Sequence, residues 1–276
     1  MRKMKKLVYI FLVTVLFVSC SEYQKVLNKG KNADRYKMAE DLYKNGEYKK
    51  AIPLFEKLAG PYAGKPQMER IQYMTADSYY QVGDYSLSSY YFSKFITNYP
   101  TSSKVEEAAY LSSHSYYKAA PKYSLDQKDT YKALEAFQNF INAYPQSDKI
   151  IEANKHYTEL SKRLEKKDFE VAKQYYHTEY YEAAITAFNI FNEEHLGSDY
   201  KEDALYYKFK SAYELGMKSV LSKKQDRLGN AKTEFDKFKK LYPESDKLKE
   251  MDVLVNNVNK EILKSKEAIS LIESSN

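Results

Sequence analysis

An eleven-residue pattern occurs three times in this chain, and a repeat on that scale decides the architecture before any other feature is weighed. Residues 92–102 read FSKFITNYPTS, residues 137–147 read FQNFINAYPQS, and residues 235–245 read FDKFKKLYPES. Each has two Phe three apart, then Tyr-Pro, then Ser. Upstream, residues 39–55 (AEDLYKNGEYKKAIPLF), 76–92 (ADSYYQVGDYSLSSYYF) and 172–188 (AKQYYHTEYYEAAITAF) align without a gap. Ala39, Ala76 and Ala172 coincide, as do Tyr43, Tyr80 and Tyr176, then Tyr48, Tyr85 and Tyr181. Two further copies carry an insertion: Ser113, Tyr117 and Ala120 lead to Phe137, and Phe209, Tyr213 and Gly216 lead to Phe235. The chain therefore holds five units.

Each unit reads as a helix, a tight turn, a second helix and a stop. Asn45-Gly46 and Gly83-Asp84 mark turns, where Gly accepts a positive φ at a helix end. Phe92 and Phe95 fall on one helical face and pack into the hairpin. Pro100 ends the second helix, and Ser102 and Ser103 stand where they can cap the next one. Ala51, Ala133, Ala184 and Ala231 lie four residues before their Phe, where two helices must approach closely; Ser88 holds that place in the second unit. This is the tetratricopeptide pattern. It predicts an all-α, tetratricopeptide-like superhelix of five helix hairpins with a C-terminal capping helix. The few Gly and Pro (8 and 7) argue against an all-β chain.

The units are not identical. In the fourth, Phe188 and Phe191 are followed by His195-Leu196-Gly197-Ser198, so Gly197 takes over the stop. Ahead of that unit the chain is about 14 residues longer than the usual spacing, close to four helical turns, which keeps the apolar face in phase. Ile150, Ala153, Tyr157, Leu160 and Leu164 make that stretch one long helix. Met251, Leu254, Val255, Val258 and Ile262 give the cap its apolar face. The expected division is 33–147 for units 1–3 and 148–276 for the linking helix, units 4–5 and the cap.

Residues 1–19 read as a signal peptide: MRKMKK is a basic n-region and LVYIFLVTVLFV an apolar stretch of 12 residues. As a helix that stretch spans ~18 Å, short of a ~30 Å hydrocarbon core. Phe17-Val18-Ser19-Cys20 then resembles a bacterial lipoprotein box, with Phe17 where Leu is usual. Cys20, the single Cys, is the expected lipidation site, and residues 20–32 the polar tether to the first helix. Acyl chains on Cys20 would make the membrane a partner. The net charge of +6 falls to +2 once Arg2, Lys3, Lys5 and Lys6 leave with the signal (40 basic against 38 acidic residues), so nothing favours nucleic acid.

No chemistry announces itself. His114, His156, His177 and His195 show no paired metal spacing, and no phosphate-binding, dinucleotide or nucleophile-elbow motif is present. The expectation is a binding protein, not an enzyme, with no catalytic residue, metal or cofactor.

Tyr is the outlier of the composition, at 29 of 276 residues. On the first helix of each unit an aromatic lies seven before the shared Tyr: Tyr36 with Tyr43, Tyr73 with Tyr80, Tyr110 with Tyr117, Phe169 with Tyr176, and Tyr206 with Tyr213. Seven residues are nearly two turns, so each pair shares a face. Polar residues sit midway: Glu40, Asp77, His114, Lys173 and Lys210. Two readings stand. The row is either a peptide-binding groove on the concave side, with Tyr36, Tyr43, Tyr73, Asp77, Tyr80, Tyr110, His114 and Tyr117 taking substrate, or it fills space between neighbouring hairpins.

The lipoprotein box, the five units, the F-x-x-F…Y-P-x-S ends and the third-unit insertion APKYSLDQKDTYKAL (residues 120–134) together resemble the BamD family of outer membrane assembly lipoproteins, over roughly residues 20–245. In the insertion, Asp126 or Asp129 can cap a helix starting near Thr130. The resemblance implies an anchor in the outer membrane, facing the periplasm. It implies binding of the barrel-forming protein BamA through the C-terminal units, and of unfolded outer membrane β-barrel proteins in an N-terminal groove. The alternative is a periplasmic tetratricopeptide adaptor lipoprotein serving envelope or division machinery.

Overall fold

Burial of the repeated Phe pairs organises the whole chain. In the structure, a computed structural model describing residues 22–274, Phe92, Phe95, Phe137 and Phe188 are fully buried, and Phe140, Phe191 and Phe238 nearly or fully so. Each pair lies on the second helix of a hairpin. The helices are α1 (22–29), α2 (Asn32–Lys44), α3 (Tyr48–Ala59), α4 (Gln67–Gln81), α5 (Tyr85–Asn98), α6 (Val105–Ala119), α7 (Lys128–Ala143), α8 (Ile150–His177), α9 (Tyr181–Glu194), α10 (Lys201–Met217), α11 (Leu221–Leu241) and α12 (Leu248–Ser274). Pairing α2 with α3, and so on to α10 with α11, gives five tetratricopeptide-like hairpins, with α12 as the cap; no strand occurs among the described residues.

The local signals act as their chemistry dictates. Gly46 (φ 76°) and Gly83 (φ 82°) take the left-handed conformation that closes hairpins 1 and 2. At the same place in hairpin 4 stands Glu179, with φ 64°, a side chain where glycine is favoured. Ala51, Ala133, Ala184 and Ala231 are fully buried, as is Ser88, whose hydroxyl donates to the Ala76 carbonyl at 3.2 Å. Helices α5, α7 and α11 end one residue before their Tyr. The Tyr amide donates to the carbonyl of the second Phe of the motif, as Tyr99 does to Phe95 at 2.8 Å.

Ser102 does something other than cap. Its oxygen accepts from the Lys104 amide (3.1 Å) ahead of α6, while its hydroxyl donates to Glu69 on α4 (2.6 Å). Ser245 repeats this with Lys247 and Glu202 (2.5 Å), and Ser198 with Tyr200 and Glu165. The motif Ser is thus a clasp from each of these joints back to its own hairpin. In the insertion, Asp126 accepts from the Lys128 amide at 2.9 Å, and α7 starts there, two residues before Thr130.

The chain forms two compact bodies. One takes in the described residues up to Pro121 together with Leu125–Leu160; the other takes in Lys122–Ser124 and the residues from Ser161 onward. The division falls inside α8, after Leu160, and not ahead of it at 147/148, where the end of the third motif suggested. The reason is packing: Ala153 and Leu160 are buried against Phe137 and Phe140 of hairpin 3, while Phe169 and Ala172 are buried against Phe188 and Phe191 of hairpin 4. Residues 22–29 also differ from a bare tether. They form α1, whose Tyr23, Val26 and Leu27 pack on the core of hairpin 1, with the Tyr23 hydroxyl on the Lys50 carbonyl (3.0 Å). The signal segment and Cys20 lie outside the described residues.

Candidate peptide-binding site

The aromatic row exists, and its hydroxyls cross from one hairpin to the next. Tyr43 on α2 donates to Asp77 on α4 (2.5 Å). Tyr80 on α4 shares a hydrogen bond with Nδ1 of His114 on α6 (2.6 Å). Tyr117 on α6 donates to Glu159 on α8 (2.6 Å). Tyr73 pairs with Glu107 and Tyr110 with Glu152 in the same sense. Tyr36 stacks on Tyr62 at 5.7 Å with its hydroxyl 3.4 Å from Glu40, and Arg70 of the next hairpin reaches both Tyr36 and Glu40 (2.7 Å to the carboxylate). In the second body Tyr206 continues the pattern, donating to Glu250 at 2.5 Å.

Electrostatics follow this stitching. Burial first, and then the bond to Asp77, pushes the Tyr43 hydroxyl far above the ordinary phenol range; burial and Glu107 do the same for Tyr73. Tyr206 is pushed up to about 12, again chiefly by burial. Hydroxyls of Tyr110 and Tyr117 hold Glu152 and Glu159 below the usual carboxylate range. His114 is driven down to about 4, by burial and then by the neighbouring His156 and Lys118. The rings of His114 and His156 lie 5.2 Å apart, and both His156 nitrogens are buried without a hydrogen-bond partner, each 3.7 Å from a glutamate (Glu152 and Glu159).

Of the eight candidate residues, Tyr110 and Asp77 are buried and the other six half-buried. Most of the row is therefore committed to hairpin–hairpin contact. One place opens: a cavity of about 430 Å³ between Tyr43 and Tyr73, with Met74 beneath and Lys44, Arg70 and Lys104 around it. The sequence reading found its aromatic walls and missed its basic rim. Arg70 stands one helical turn before Tyr73, a spacing that carries the signal once Tyr73 is known to face the opening.

Hairpins joined side by side through a row on their first helices define a repeat scaffold of the tetratricopeptide type, a fold typical of non-catalytic binding proteins. The chain belongs to the YfiO family, outer membrane lipoproteins, which it matches over residues 28–228. No curated protein matches it. Among solved structures, it is similar to the TPR-like repeats of a putative kinesin light chain from Podosopora anserina, in a point-mutant form and in a second form. Each is 10% identical with a TM-score of 0.32; the matches cover 75% and 74% of this chain, and 96% and 95% of those chains. Among the described residues no helix is long and apolar enough to cross a membrane.

Proposed function

We propose that this protein is a scaffold of the outer membrane β-barrel assembly machinery, held in the outer membrane by acyl chains on Cys20. In this reading hairpins 4 and 5, with α12, dock a BamA-like barrel-forming protein. Hairpins 1–3 receive extended segments of unfolded outer membrane β-barrel proteins. The observation that carries the substrate half is the opening between Tyr43 and Tyr73. Aromatic walls stack on aromatic side chains, adding about 0.5–1.5 kcal/mol per pair beyond burial. Lys44, Arg70 and Lys104 line the rim of the opening, Lys44 and Arg70 paired with Glu40 (4.0 and 2.7 Å) and Lys104 with Glu107 (2.7 Å), and would trade part of that pairing for a peptide carboxylate. Family membership supports the outer membrane setting.

The basic rim gives the cleaner test, because the Tyr rings also hold the hairpins together. In Lys44→Ala with Lys104→Ala, whose side chains are solvent-exposed in their ion pairs to Glu40 and Glu107, affinity for a peptide ending in an aromatic residue should fall at least about tenfold with little change in melting point, as expected on losing charge-assisted pairing at the surface. Unchanged affinity would remove the substrate role. Affinity capture of the full chain from membranes decides the docking half. A barrel-forming protein in the eluate supports it; envelope or division proteins without one would favour the periplasmic adaptor instead.

A further inference from the structure

The shared motif aligns equivalent residues of four hairpins, so the joints act as controls for one another. Three positions matter: the residue just before the first aromatic of the row (Tyr73, Tyr110, Phe169 or Tyr206), the last residue of the second helix, and the ring that follows it. In hairpin 2 these are Gln72, Asn98 and Tyr99; the two amides are hydrogen-bonded at 3.0 Å. In hairpin 3 they are Ala109, Ala143 and Tyr144, and the two alanines line one small cavity of about 280 Å³. In hairpin 5 they are Leu205, Leu241 and Tyr242. Each of these pairs is thus neutral: two amides, two alanines, two leucines.

Hairpin 4 breaks the rule at all three positions together. It has Asp168, Glu194 and His195. The imidazole keeps the ring's packing place: His195 lies 4.8 Å from Phe191, where the tyrosines lie 5.4 Å from Phe95, Phe140 and Phe238. What changes is the chemistry. His195 Nε2 is 3.1 Å from Asp168 Oδ2, and one ligand atom from each of the three side chains falls within 4.8 Å of the others. Two carboxylates so placed repel unless a cation stands between them. The nearby Lys201 is turned to the carbonyl of Leu196 (3.1 Å). The site also lies at the carbonyl end of α9, whose dipole favours positive charge.

We propose that Asp168, Glu194 and His195 bind one divalent transition-metal ion of the zinc class, tying the end of α9 to α8. One imidazole with two carboxylates suits zinc and its neighbours better than calcium or magnesium, which prefer all-oxygen sites. Around a tetrahedral centre with bonds of about 2 Å, ligand atoms stand roughly 3.3 Å apart. The His195–Asp168 pair is already at that separation, and exposed Glu194 has the freedom to close. Solvent fills the fourth position. The hydrogen now shared between Nε2 and Asp168 leaves to solvent, or moves to Nδ1, as the metal takes the lone pair.

The test is calorimetric titration of the full chain, stripped with chelator, with zinc chloride and then with calcium and magnesium chlorides. One zinc per chain, not displaced by excess calcium or magnesium, is expected. His195→Tyr restores the ring of the other joints and should lower zinc affinity at least about tenfold, since loss of even an outer-shell partner of a metal costs 10–100-fold. Asp168→Asn should do the same, and it decides the matter if circular dichroism shows His195→Tyr misfolded. No zinc uptake by the native chain would overturn the site, leaving a plain His195–Asp168 hydrogen bond. Uptake unchanged in the folded variants would overturn it too, by assigning the zinc to other histidines.

Discussion

Replacing Tyr43 with Phe tests whether the aromatic row stitches hairpins together. Phe keeps the edge contacts to Tyr48 (5.5 Å) and Phe55 (6.3 Å) and deletes only the hydroxyl that reaches Asp77. Asp77 is 8% exposed, so water cannot readily replace the lost donor; Gln81 remains on its other oxygen at 3.1 Å. A hydrogen bond to a charged group contributes about 1.5–3 kcal/mol, and the half-buried Tyr43 belongs at the lower end, about 1.5–2 kcal/mol. For a body of this size, roughly 2–4 °C of melting temperature goes with each kcal/mol, so a drop of about 3–8 °C is expected. Thermal unfolding followed by far-ultraviolet circular dichroism reads it directly. A double-mutant cycle with Asp77→Asn should show the two changes to be coupled. A midpoint within about a degree of the native chain, or strict additivity, would refute the stitching account.

Other consequences follow from backbone, packing and charge. Gly46→Ala and Gly83→Ala should each cost about 1–2 kcal/mol, because both glycines are left-handed; Glu179→Gly should cost nothing or stabilise, and chemical denaturation would rank the three. Gly216→Ala should destabilise hairpin 5 by about 1–3 kcal/mol, since its new methyl would sit 2.6 Å from Leu228 Cδ2; an unchanged denaturation midpoint would contradict this. His114 has a lower pKa folded (about 4) than its ordinary 6.5, so below 6.5 the unfolded chain binds the extra proton. The stability it contributes is complete above pH 6.5 and is lost as pH falls from there toward 4. His114→Asn should flatten the pH dependence of the melting point across that window.

Why the fold could be read from the chain, and most of the site could not, follows from how each is encoded. A tetratricopeptide hairpin is specified by local spacing. Phe92 and Phe95 on one face, Ala184 at the crossing point, Gly83 in the turn and Pro100 at the stop are each decided within a dozen residues. The boundary between the two bodies is different. It depends on Leu160 siding with Phe140 while Phe169, nine residues and about two and a half turns on, sides with Phe188 from the opposite face of one uninterrupted helix of 28 residues. The aromatic row was legible as a row, because Tyr73 and Tyr80 share a helical face. Which side of the ring faces solvent was not, because the partners of the Tyr43, Tyr80 and Tyr117 hydroxyls sit 34 or more residues away.

The same logic explains how a candidate metal site stays hidden in a repeat. Asp168 and Glu194 are 26 residues apart, so no short motif joins them. The departure at His195 reads along the chain as a lost Tyr-Pro and nothing more. Only when the hairpins are aligned in space does the joint show three simultaneous changes, all toward metal-ligating side chains. A repeat protein carries its own comparison set. Positions that keep their chemistry from hairpin to hairpin, such as the buried Phe pairs, report packing; a position that changes together with its spatial neighbours is where a single hairpin acquires a task the others lack.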